Sequence, residues 1–209
     1  MTSAKIKKNQ QIIDTFIDLV KISSPSHHEQ NVAKYLIKTF KKLGYKTRVD
    51  AKGNLHIIIP GVLANGPTLL FNAHMDTVVP GNNVKPQIKK DRIVSDGKTV
   101  LGADDKAGIA AIIEMVRQLK EKKVLFKELK IIFTVEEEIG LQGAKQLAFD
   151  DVQADYGFVL DSDGDVGAGY SGDQSDRPLC PCGTEPRKRD QCDQDRGGGD
   201  RQDRQRQDR

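Results

Sequence analysis

At 209 residues the chain is long enough for one ordinary domain, and it contains no apolar run long enough to span a bilayer. A formal net charge of +3, with Lys and Glu interspersed, argues against a nucleic-acid partner. The first residues carry lysines without an apolar stretch behind them, so a secretory leader is not expected and a cytoplasmic location is.

The first element predicted is a helix over residues 10–22, with Ile12, Ile13, Phe16, Leu19 and Val20 on one face. Pro25 interrupts it. A second helix is expected from about Glu29 to Leu43, with Val32, Tyr35, Leu36 and Phe40 inward and Gly44 as its stop. Residues 46–50 and 55–59 read as a hairpin around Lys52, Gly53 and Asn54. Residues 67–73 form an apolar strand that ends on His74. Short strands are expected at 91–94 and 99–101, either side of a turn at Asp96, Gly97 and Lys98. A helix over 105–120 places Ile109, Ile112, Ile113, Val116 and Leu119 on one face. Strands are expected again at 129–134 and 157–160. Strands alternating with helices of this length imply parallel crossovers and a layered α/β domain.

The chemistry-bearing groups cluster at the ends of these elements. His74 and Asp76 are one residue apart, so on an extended segment they point the same way. That spacing lets the carboxylate hold one ring nitrogen while the other binds a metal; a polar turn is the plainer reading. Asp104 and Asp105 open a helix, where one of them serves as an N-cap and the second exceeds what a cap needs. Glu136, Glu137 and Glu138 follow an apolar strand and precede Gly140. Either they form a solvated turn, or a metal offsets the repulsion for one while its neighbour acts as a general base. Asp161 closes the apolar run of residues 158–160; with Asp163 and Asp165 it lacks the terminal Glu of a calcium loop. One imidazole with several carboxylates suits a hard or borderline divalent metal.

Taken in order, His-x-Asp, Gly-Ala-Asp-Asp-Lys-Ala-Gly at 102–108, Glu-Glu-Glu-Ile-Gly at 136–140 and a strand ending in Asp161 resemble the dinuclear zinc aminopeptidases, in particular the tripeptide aminopeptidases (peptidase T) and their relatives. The likeness runs from about Gln10 to Gly167. It implies an α/β zinc-peptidase catalytic domain, here its N-terminal portion, that removes N-terminal residues from small peptides. By matched position, His74 and Asp161 would bind one zinc, Asp104 would bridge two ions and Glu138 would bind the second. Asp76 would orient His74 and Glu137 would shuttle a proton, leaving Asp105 as a cap. Two Zn2+ are implied, with Co2+ or Mn2+ as substitutes. The partner implied is a small peptide substrate, with no nucleic acid and no membrane. The resemblance allows a homodimer for the full-length enzyme and argues against one for this chain.

The chain departs from that family in two respects. Its histidines are His27, His28, His56 and His74, so the late histidine the family uses as a fifth ligand is not among them, and the lid or dimerisation domain is absent. Residues 1–168 hold nearly all the Ile, Leu, Val and Phe, whereas 169–209 hold one Leu, one Tyr, Cys180, Cys182, Cys192 and mainly Asp, Arg, Gln and Gly. The cysteines fit no trusted zinc spacing. Residues 176–182 admit codons that, read one base later, give Thr-Asp-Leu-Tyr-Ala-His, and flanking segments also become family-like. The expectation is therefore a catalytic portion over 1–168 followed by an aberrant, disordered tail over 169–209 produced by a frameshift. The rival expectation for function is a non-catalytic fragment that binds one metal ion at most.

Overall fold

The computed structural model describes residues 3–122 and 124–161. The expected aberrant tail, the boundary at 168, the three cysteines and the Asp163–Asp165 pair lie outside the described residues. Two helices lead the chain, α1 (Ser3–Val20) and α2 (Gln30–Lys42). Strands β1 (Thr47–Val49), β2 (Leu55–Pro60) and β3 (Thr68–His74) follow, then the short β4 (Gln87–Ile88) and β5 (Ile93–Val94). Next come α3 (Ala103–Leu119), β6 (Glu128–Thr134), the single-turn α4 (Phe149–Val152) and β7 (Tyr156–Val159).

The main sheet is mixed, in the order β1-β2-β6-β3-β7. β1 and β2 form the expected antiparallel hairpin, with Thr47 opposite Ile57 and Val49 opposite Leu55. β2 then pairs antiparallel with β6, whereas β3 runs parallel to both β6 and β7. Those three parallel strands carry their carboxyl ends to one edge of the sheet, where ligands collect in open α/β sheets. Register fixes the detail: His74 lies opposite Thr134, and Asn72 opposite Val159.

Burial explains why the helices pack as they do. Val32, Leu36 and Phe40, spaced at one helical face, are fully buried on α2, and Phe40 meets Phe133 of β6 with ring centroids 5.8 Å apart. Ile109, Ile112, Ile113 and Val116 of α3 are buried together with Leu19 of α1 and with Leu55, Ile57, Leu129 and Ile131 of the sheet. Each such side chain contributes about 1.5–3 kcal/mol over its exposed state. β7 is different: Tyr156, Phe158 and Val159 are exposed, although Phe158 stacks on Phe71 at 4.7 Å.

Two expectations need correcting. Residues 99–101 do not form a strand; β5 pairs instead with β4, Gln87 opposite Val94. The reason is local: Ser95 Oγ donates to Thr99 O at 2.7 Å and accepts Gly97 N–H, and Asp96 Oδ1 accepts Lys98 N–H. Side chains thus take the bonds a hairpin ladder would need. The first helix also starts earlier than expected, at Ser3 rather than Gln10. No helix among the described residues is long and apolar enough to cross a membrane.

Candidate metal centre

The acidic groups named from sequence reach the sheet edge on several separate elements. His74 is the last residue of β3, Glu137 and Glu138 sit in the loop after β6, and Asp161 lies two residues past β7. Asp104 precedes the regular turns of α3; it and Asp105 have non-helical backbone angles, and the peptide bond between them is cis. Asp105 is the true cap, since its Oδ1 accepts Gly108 N–H at 3.1 Å. Its Oδ2 accepts the backbone N–H of His74 at 3.2 Å, tying the helix start to the strand end. Gly108 is required here: a Cβ would lie 2.2 Å from Asp105 Oδ1 and 2.8 Å from Leu160 O. That close approach sets Leu160, the residue before Asp161, against the start of α3.

The side chains converge on His74, which is 1% exposed. Its Nε2 lies 2.8 Å from Asp104 Oδ1, 3.9 Å from Asp161 Oδ2 and 4.0 Å from Glu137 Oε2. Two overlapping trios, His74–Asp104–Glu138 and His74–Glu137–Asp161, each hold one donor atom per residue within 4.8 Å of the others. Asp76 Oδ1 lies 3.3 Å from His74 Nδ1, yet that nitrogen has no aligned hydrogen bond and is buried. Asp76 is saturated from other directions: it accepts Glu137 N–H at 2.9 Å, Glu138 N–H at 3.1 Å and Ser26 Oγ–H at 2.7 Å. It therefore joins the β3 end to the acidic loop.

These contacts set the charge states. Burial works against a charged His74, but Asp76, Asp104, Asp161 and Asp105 outweigh it and push the imidazole up to about 10. Burial likewise opposes the Asp76 carboxylate, and its contacts with His74, Ser26 and the two loop N–H groups overcome that, holding it down at about 2. Asp105 is pushed up to about 8, chiefly by burial and also by Asp161. Glu137 and Glu138 are raised, first by burial and then by the neighbouring carboxylates, against the pull of His74. Carboxylates crowded about a buried imidazole, with protons retained to relieve repulsion, are the donor set a divalent cation fits.

The third glutamate of the run does not join this centre. Glu136 has φ 54°, in the left-handed region, which turns its side chain to Lys52 Nζ at 2.6 Å and His27 Nδ1 at 3.1 Å. Its N–H bonds Glu29 Oε1 at 3.0 Å. Sequence reasoning missed Ser26, Glu29, Lys52 and Asn54, because their partners lie 50 to 107 residues away. Asp50 followed by Gly53-Asn54 was the one local signal, a turn in which Asp50 Oδ1 accepts the N–H groups of Lys52, Gly53 and Asn54. Lys106 was also missed: 1% exposed, it donates to Ile22 O at 2.7 Å, and burial lowers it to about 8.

Comparison with known proteins bears on the same segments. Residues 54–176 match Peptidase family M28. The YqjE protein of Bacillus subtilis is 42% identical over 166 residues, covering 76% of this chain and 44% of that protein. Peptidase T of Halothermothrix orenii is 33% identical over 197 residues, covering 72% and 48%. The crystal structure of aminopeptidase PepT from Bacillus cereus superposes with a TM-score of 0.72 at 44% identity, over 76% of this chain and 44% of that one. The chain spans about half the length of the relatives it matches.

Proposed function

Because this chain belongs to peptidase family M28, we propose that His74, Asp104, Glu138 and Asp161 hold a pair of zinc ions for hydrolysis of N-terminal residues from small peptides. The convergence of Asp104, Glu137 and Asp161 on His74 Nε2 carries the reading. The names of the relatives, peptidase T and aminopeptidase PepT, support the substrate class. His74 and Asp161 would hold one ion and Glu138 the other, with Asp104 available as a ligand to both. Zinc at such a centre supplies Lewis acidity to the peptide carbonyl and eases ionisation of water near neutral pH.

The chain's own groups do the rest. Asp76 holds the Nδ1 side of His74, leaving Nε2 toward the carboxylates. Glu137, its carboxyl raised above the ordinary value chiefly by burial, takes the proton of the attacking water and returns it to the nitrogen of the breaking C–N bond. Glu136, paired with Lys52 and His27, stays outside the reaction.

A second reading, one bound ion and no turnover, is favoured by one observation: both donor trios share the single imidazole of His74. Tripeptide hydrolysis by the zinc- or cobalt-loaded chain separates the two. The expected result is turnover that falls about 10²- to 10⁴-fold in Glu137→Gln while metal content is kept. Folded, metal-loaded protein without turnover leaves the one-ion reading standing.

A further inference from the structure

Both ends of the loop that carries Glu137 and Glu138 meet one side chain. Asn54 is fully buried in the turn between β1 and β2. Its Oδ1 accepts Val135 N–H at 3.1 Å, and its Nδ2 donates to Gly143 O at 3.1 Å. The loop ends also bond directly, Gly143 N–H to Val135 O at 3.0 Å. A Cβ at Gly143 would sit 2.3 Å from Val135 O and 2.5 Å from Asn54 Oδ1, so glycine is what allows the carboxamide to reach both ends. Asp50 Oδ2 accepts from Asn54 Nδ2 at 2.8 Å and fixes the amide's orientation. Two residues away, Lys52 Nζ holds Glu136. One turn, residues 50–54, therefore grips the acidic loop at residues 135, 136 and 143, while Asp76 accepts Glu137 N–H and Glu138 N–H between them.

We propose that Asn54 is a positioning residue of the metal centre: its carboxamide closes the mouth of loop 135–143 and so sets where Glu137 and Glu138 stand relative to His74. The inference rests on the metal-centre reading above and extends it to a residue that bears no charge and touches none of the metal-binding side chains. The chemistry of the position is specific. Asparagine presents one acceptor and two donors, matched here to one N–H and two oxygens. Aspartate would keep the Val135 bond but set a second acceptor against Gly143 O and Asp50 Oδ2.

The test uses the full 209-residue chain as wild type, Asn54→Asp, and the exchange double variant Asp50→Asn with Asn54→Asp. The double variant restores a donor–acceptor pair between positions 50 and 54 but supplies no donor to Gly143 O. Zinc affinity by chelator competition, hydrogen exchange of residues 135–143 and the unfolding midpoint are measured on each. In Asn54→Asp, zinc affinity is expected to fall about 10- to 100-fold, the range for groups that orient metal ligands, and loop exchange to accelerate. In the double variant the midpoint recovers while zinc affinity and loop exchange do not, which a merely structural role would not produce. Wild-type affinity in Asn54→Asp, or affinity that recovers together with the midpoint, overturns the proposal. If the wild type binds no zinc, the metal-centre reading fails by itself. Loop exchange then decides Asn54 separately: acceleration confined to 135–143 supports it, and unchanged exchange overturns it.

Discussion

His56 and His74 are both buried strand histidines with an aspartate at hand, and their surroundings are opposites. At the β1–β2 turn, one carboxylate serves five donors: the N–H groups of Lys52, Gly53 and Asn54, the Asn54 amide and His56 Nε2 at 3.1 Å. Burial opposes the charge on Asp50, but Asn54, His56 and the turn N–H groups outweigh it and keep the carboxyl below its ordinary value. At the end of β3 the ratio is reversed, one imidazole facing the carboxylates of Asp76, Asp104, Glu137 and Asp161. A surplus of donors makes a closed structural knot. A surplus of carboxylates crowded about one buried imidazole suits a cation, since like charges held together repel one another.

The largest expected effect that tests this contrast is the pH response of the metal-free chain. His74 is raised from 6.5 to about 10 and Asp105 from 3.8 to about 8, so each binds more protons folded than unfolded. The stability they contribute is complete below those ordinary values and is lost as pH rises through about 8 and then about 10. Asp76, lowered from 3.8 to about 2, contributes stability above about pH 4 that is lost as pH falls toward 2. The unfolding midpoint measured in chelator should therefore be highest in mildly acidic solution and drop on both sides, with zinc flattening the alkaline limb. A flat alkaline limb without metal would break the contrast.

Next in size is Asp76→Asn. It keeps the shape of the group but weakens the hold on His74 and on the loop N–H groups, and it is expected to lower zinc affinity about 10- to 100-fold in a competition titration. An unchanged affinity would mean that the strand alone orients His74. The smallest effect belongs to the other histidine. His56→Asn removes one of five donors to Asp50 and should cost about 1 kcal/mol in urea unfolding while leaving zinc affinity untouched. A loss of zinc binding there would show that the two regions are not separate.

Much of the fold was legible because its signals are local. The α2 face of Val32, Leu36 and Phe40 and the α3 face of Ile109, Ile112, Ile113 and Val116 recur at helical spacing, and all are buried. The hairpin around Lys52, Gly53 and Asn54 carries its own turn chemistry. Residues 99–101 misled because three β-branched or apolar residues near a Gly turn look like a strand, whereas Ser95 and Asp96 had already claimed the backbone there. At the site, the sequence marked every acidic group that meets His74. It could not separate Glu136 from its two neighbours, since nothing in three identical side chains says which one turns away.

The sequence by itself determined which residues can bind a cation and the order in which they come, because imidazole and carboxylate chemistry and helix or strand period are properties of short segments. Only the tertiary structure decided that they meet. Parallel pairing of β3 with β6 and β7 brings residues 74, 137 and 161 to one edge, and the bond from His74 N–H to Asp105 Oδ2 ties the start of α3, with Asp104, to the end of β3. It alone also enlisted Ser26, Lys52 and Asn54, because a hydrogen bond spanning 50 to 89 residues of chain is set by how the elements pack.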